Sequence, residues 1–176
     1  MNNFLDVIKN NWFLILIGLW FIYSVFFTAD RDSVGNVTKS GWVDVLQVGD
    51  CVLDNSFIEN LDAEDETYYQ YWVTPCEQEH SSEVFYAYDL GSKYSDFPGI
   101  EAITSAIDEF CLPAFEGFVG ITVDEIFTNY SSEAEDLNIA AYYPLEESWF
   151  ESKKIDCVVY KTNGELMSGS VKDLFR

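Results

Sequence analysis

Basic residues are scarce in this chain, and histidine is almost missing. Nine lysines and arginines face 31 aspartates and glutamates over 176 residues, with one histidine and a formal net charge of −22. A surface of that sign repels phosphate backbones, so neither DNA nor RNA is expected as a ligand. A single imidazole, His80, leaves a catalytic zinc centre without a second neutral ligand, and no metal or other cofactor is expected. The four cysteines, at 51, 76, 111 and 157, form no C-x-x-C pair, which removes a thioredoxin-like redox motif and a zinc knuckle. No internal repeat and no low-complexity tract interrupts the chain. The serines near glycine, Ser168 and Ser170, lack the nucleophile-elbow pattern of a hydrolase. The carboxylates at 54–67 lack the spacing and central glycine of an EF-hand loop.

What the chain does have is one long apolar run. Residues 12–28 carry no charge and rise roughly 25 Å as a helix, at the short end of what crosses a bilayer. Lys9, Asn10 and Asn11 stop the run on one side, and Asp30, Arg31 and Asp32 stop it on the other. The run therefore reads as a single transmembrane anchor at 12–29. A short cytoplasmic head at 1–11 precedes it, a linker at 30–41 follows, and an extracytoplasmic domain fills 42–176. A cleaved signal peptide is the competing reading, with Ala29 at the cleavage site, but Phe27 then occupies a position that favours a small side chain. The expected location is the plasma membrane, single-pass, with the amino terminus inside and the acidic domain outside.

All four cysteines lie beyond the run. On an oxidising side of a membrane, an even number of widely spaced cysteines reads as two disulfides. Three pairings are possible, of which Cys51 with Cys76 and Cys111 with Cys157 is preferred. Aromatic residues make up 17% of the chain, enough to require burial and a packed core.

Periodicity gives an outline of the domain. Alternating or β-rich stretches predict strands at 42–45, 46–52, 68–75, 83–88 and 155–161. In the fourth, Val84, Tyr86 and Tyr88 should share one face. A turn is expected at Gly49-Asp50. Apolar residues Ile100, Ile103, Ile107, Phe110 and Cys111 recur at helical spacing, with Pro113 interrupting before Ala114, Phe115 and Phe118. Thr122 with Glu125 forms a capping-box pattern for a second helix at 122–129. Trp149 centres one helical turn at 146–151. Asn163-Gly164 is a two-residue turn signal, which should return 166–171 beside the preceding strand as a terminal hairpin. The fold class is α+β: one transmembrane helix, then a disulfide-stapled, mostly antiparallel sheet packed against two or three helices.

Gly49-Asp50-Cys51, Val73-Thr74-Pro75-Cys76, His80 and Glu83-Val84-Phe85 follow one another in an order that resembles the septum formation domain of actinobacterial membrane-anchored or secreted envelope proteins. Cys111, Phe118-Val119-Gly120, Tyr143-Pro144, Ser148-Trp149, Cys157 and Gly169-Ser170-Val171 continue the resemblance over most of 41–172. The chain departs from that pattern in having Glu79 before the histidine and Ser152-Lys153-Lys154 before the last cysteine. The resemblance implies an envelope location and a context of cell division, and no reaction.

The candidate binding residues are His80, Glu83, Trp72 and Trp149. A histidine among carboxylates can recognise a partner or hold a structural hydrogen bond, and the tryptophans can line a groove or pack in the core. The leading expectation is a non-enzymatic membrane-anchored envelope domain that recognises a protein or cell-wall component. One alternative is an enzyme or enzyme accessory acting on envelope polymers, which requires a groove bearing His80 or paired carboxylates. The other is a structural or cation-buffering surface module.

Overall fold

The computed structural model describes residues 2–53, 70–122, 125 and 136–175. Helix α1 (Asn2–Phe27) opens the chain, and Trp20 and Phe13 on it are 69% and 66% exposed. Among the described residues, however, no helix is long and apolar enough to cross a membrane. From Trp12 to Phe27 the apolar part of α1 rises about 24 Å, short of the roughly 30 Å of a hydrocarbon core. Lys9, Asn10 and Asn11 precede it in the same helix. The transmembrane anchor expected at 12–29 is thereby corrected. The plasma-membrane location, the single-pass topology and the membrane as a partner go with it. So does the membrane-anchored envelope domain that recognises a division protein or wall component, because its reach depended on that anchor.

The carboxyl end of α1 is tied into the fold. Lys39 donates from Nζ to the carbonyls of Val25 (2.5 Å) and Thr28 (3.2 Å), which have no partner further along the helix. Residues 30–41, read from the sequence as a linker, contain a two-stranded antiparallel ribbon of β1 (Asp30–Arg31) and β2 (Val37–Lys39). Strand β3 (Gly41–Val43) follows at once. A Cβ at Gly41 would collide with the backbone of Thr28 and Ala29, so only glycine lets the helix end pass this close.

The main sheet has six strands, all antiparallel to their neighbours, in the order β3, β5 (Tyr71–Thr74), β4 (Cys51–Val52), β7 (Ser82–Asp89), β9 (Lys154–Lys161), β8 (Leu137–Tyr142). These strands form where Val, Ile, Tyr and Trp are dense, but of the strand expected at 46–52 only Cys51–Val52 pairs, because the chain turns before it with the Asp50 N–H on the Gln47 carbonyl (3.0 Å). Strand β8 was not among the strands expected from the sequence. The terminal hairpin is a correction. The chain turns at Gly164, whose N–H bonds to the Lys161 carbonyl (3.1 Å). Strand β10 (Met167–Ser168) then pairs with β6 (Glu79–His80) and not with β9.

Strand β7 carries a bulge. Val84 is opposite Val158 and Tyr86 is opposite Cys157, which leaves Phe85 as the extra residue. Val84 packs with Val37, Leu46, Val52, Val73 and Val158 in a small core. Phe85, Tyr86 and Tyr88 all pack in the larger core with the central helix. The expected sharing of one face by Val84, Tyr86 and Tyr88 therefore holds only for the two tyrosines.

Helix α2 (Ile100–Val119) covers that larger core. Ile103, Ala106, Cys111, Phe115 and Val119 are buried along it, while Ile100, expected on the same stripe, is 46% exposed. Pro113 removes one helical hydrogen bond, yet the helix runs on because Cys111 and Phe115 are buried on either side of it. Gly120 ends α2 in the left-handed conformation (φ 87°) and donates to the Glu116 carbonyl, as a helix stop requires. The Thr122–Glu125 capping box is formed. Thr122 donates from its backbone N–H (3.0 Å) and hydroxyl (2.8 Å) to Glu125 Oε2, and the Glu125 N–H returns a bond of 3.2 Å to the hydroxyl. The rest of the helix expected at 122–129 and the acidic loop expected at 54–67 lie outside the described residues. Both disulfides adopt the preferred pairing, Cys51 with Cys76 and Cys111 with Cys157.

Candidate functional site

Among the described residues, buried His80, Ser81, Ser82 and Glu83 gather where β4, β6 and β7 meet the segment at 167–171. Register places Cys51 opposite Glu83 and His80 opposite Met167. The Gly169 N–H bonds to the Cys76 carbonyl (2.6 Å), and Ser168 donates to the Glu77 carbonyl (3.1 Å), which straps the carboxyl-terminal segment across this end of the sheet.

Glu83 is 2% exposed. Its carboxylate accepts the Ser170 hydroxyl at 2.6 Å and the Val171 N–H at 2.8 Å. Burial pushes its pKa above the ordinary carboxylate range, against the pull of those two bonds and of the Lys172 charge. His80 is fully buried. Its Nδ1 lies 2.9 Å from the Gln78 carbonyl, which makes Nδ1 the protonated nitrogen of the neutral ring, and Nε2 has no partner. Burial pulls the imidazole pKa down, the Gln78 bond opposing it. His80 and Glu83 thus share a neighbourhood through 167–171, while the two tryptophans sit elsewhere. Trp72 pairs edge-on with Trp42 across β5 and β3, with ring centres 5.2 Å apart. Trp149 is 5% exposed, packs edge-on against Phe97 and donates from Nε1 to the Ser95 carbonyl (3.3 Å). The four candidates do not converge on one groove.

Two acid–base pairs were not singled out from the sequence. Arg31 forms a two-pronged bond to Asp50, NH1 to Oδ1 at 2.5 Å and NH2 to Oδ2 at 2.7 Å, and also donates to the Gly35 carbonyl. Asp50 is 1% exposed and takes the Gln47 N–H as well. The hydrogen bonding of the guanidinium to the Asp50 carboxylate is the main cause that raises the Arg31 pKa. Lys154 lies 2.7 Å from Asp156 and donates to the Leu46 carbonyl (2.6 Å). Burial raises the Asp156 pKa and the nearby Asp50 charge adds to it, while Lys154 holds it down. The usable signal was scarcity: in so acidic a chain, each base within the domain is a candidate partner for a buried acid.

A cavity of about 320 Å³ opens beside the strap, between Asp136, Lys161, Ser168, Ser170 and Leu174. Neither His80 nor a pair of carboxylates lines it, so it lacks what the enzyme reading required. Ligand atoms of Cys51, Cys76 and Glu83 lie within 4.8 Å of one another. With the sulfurs joined in a disulfide, neither is a thiolate, and the trio offers a cation only the Glu83 carboxylate.

The chain matches no family model, no curated protein and no solved structure. None of these comparisons supports the resemblance to the septum formation domain.

Proposed function

We propose that this is a structural module, clamped by two disulfides, whose acidic surface gathers cations. The observation that supports the reading is the fate of its few bases. Arg31 and Lys154 neutralise Asp50 and Asp156 in the interior, Lys39 caps α1, and Lys153 donates to the Ser95 carbonyl beneath Trp149. Each of the two buried pairs is neutral, so the net charge of −22 is carried entirely by other residues. Such a surface concentrates counterions by its summed field and not through one ligand set.

Calorimetric titration of the full chain with Mg²⁺ or Ca²⁺ tests this. Weak uptake of several ions is expected, largely abolished by raising monovalent salt to about 0.15 M and unmoved by Glu101→Gln. Saturation at one ion, resistant to salt, would overturn the reading.

A further inference from the structure

Cys76 is half-buried and is followed by the exposed residues Glu77, Gln78 and Glu79, so solvent reaches the outer end of the Cys51–Cys76 bond. Its inner end, Cys51, is fully buried opposite Glu83. The two hydrogen bonds that Glu83 accepts leave lone pairs on its carboxylate unused. The chain thus holds two sulfurs and one carboxylate oxygen already within 4.8 Å of one another, Cys51 and Glu83 as register partners in the sheet and Cys76 in the turn after β5. The sulfur–sulfur bond keeps both sulfurs from acting as thiolate ligands.

We propose that reduction of Cys51–Cys76 turns this end of the sheet into a site for one Zn²⁺-like divalent cation, held by the two thiolates and the Glu83 carboxylate. The sulfur–sulfur bond breaks as two electrons and two protons arrive from a dithiol, which closes to its own disulfide. Cation entry then displaces the two thiol protons. Two sulfurs and one oxygen suit a cation of borderline softness, and three protein ligands leave the fourth tetrahedral position to water. The exposed Glu77 and Glu79 flank the entrance and favour the approach of a cation. Cys111–Cys157, both ends fully buried, stays closed under the same treatment. The site differs in kind from the diffuse surface uptake proposed above, since it appears only on reduction and takes one ion.

The test uses the full chain, treated with a neutral dithiol and then freed of it without oxygen. Two thiols per chain should react with a thiol reagent under native conditions. Titration with Co²⁺ should give a sulfur-to-metal charge-transfer band that saturates at one ion per chain, is displaced by Zn²⁺ and is absent before reduction. Glu83→Gln should keep the band and weaken binding at least about tenfold. Two free thiols without the band, opening of all four cysteines together, or equal affinity in Glu83→Gln would each overturn the proposal. The wild-type spectrum decides alone if that variant does not fold.

Discussion

Cys111 and Cys157 are sealed between α2 and β9 with no exposed surface, whereas Cys51–Cys76 reaches solvent through Cys76 and lies against a buried carboxylate. The first bond joins the helix to the centre of the sheet across 46 residues of chain, amid Phe85, Phe115 and Val159. The second closes 25 residues at the sheet's polar end, where the Arg31–Asp50 pair and the 167–171 strap already hold the backbone. Identical chemistry is therefore put to different uses. One crosslink is part of the core, and the other is a latch over groups that have work of their own.

The largest expected effect comes from replacing Cys111 and Cys157 together by alanine. Chain entropy accounts for about 4 kcal/mol and the lost packing raises the total to about 5 kcal/mol, read from urea denaturation. A loss below about 2 kcal/mol would erase the distinction between the two crosslinks. Arg31→Ala comes next, at about 3–5 kcal/mol, because it strands the buried Asp50 beside Cys51 without its partner. If Arg31→Ala proves harmless, the polar end is not held by that pair. Replacing Cys51 and Cys76 by alanine should cost about 3 kcal/mol and leave the larger core intact, as judged by unchanged near-ultraviolet circular dichroism.

The smallest effects depend on pH. Glutamine at position 83 can accept the Val171 N–H and donate to the Ser170 hydroxyl, so Glu83→Gln should stay within about 1 kcal/mol of wild type at neutral pH. The folded pKa of Glu83 lies above its unfolded value. Its contribution is full below the unfolded value and is lost as pH rises through the folded one, a loss Glu83→Gln should remove. His80 has the opposite sign. Its lowered folded pKa gives stability that is present above the ordinary imidazole value and lost as pH falls toward the folded one. His80→Leu should flatten that acid-side decline. Urea midpoints measured from acid to neutral pH separate the two groups, and parallel profiles for wild type and both variants would remove them from the account.

Much of the fold was legible in the chain because its signals are local. Alternation marked β5, β7 and β9, helical spacing marked most of α2, and the Thr122–Glu125 pattern marked the capping-box bonds. Cysteine spacing suggested both disulfides. What sequence reading missed depends on distant partners. Arg31 looked like a polar stop after an apolar run, and only the folded chain brings it to Asp50, 19 residues on. The Asn163-Gly164 turn was visible, but the turn does not specify the strand that receives β10, and that strand is β6. Hydropathy marked 12–28 as an anchor although its rise of roughly 25 Å was already at the short end of what crosses a bilayer, and no helix among the described residues is long and apolar enough to do so. At the candidate site, His80 and Glu83 stood out by residue type. Ser170 gave no sign of bonding to Glu83, because the two lie 87 residues apart.

Phe85 acts on β7 as a frameshift acts on a message. Before it, odd-numbered side chains point toward the helix, and after it the even-numbered ones do, so the strand supplies two consecutive aromatic rings to the same side. Deleting that one residue would join Val84 to Tyr86 in plain alternation, leave both tyrosines toward α2 opposite the same partners on β9, and cost the larger core one aromatic ring.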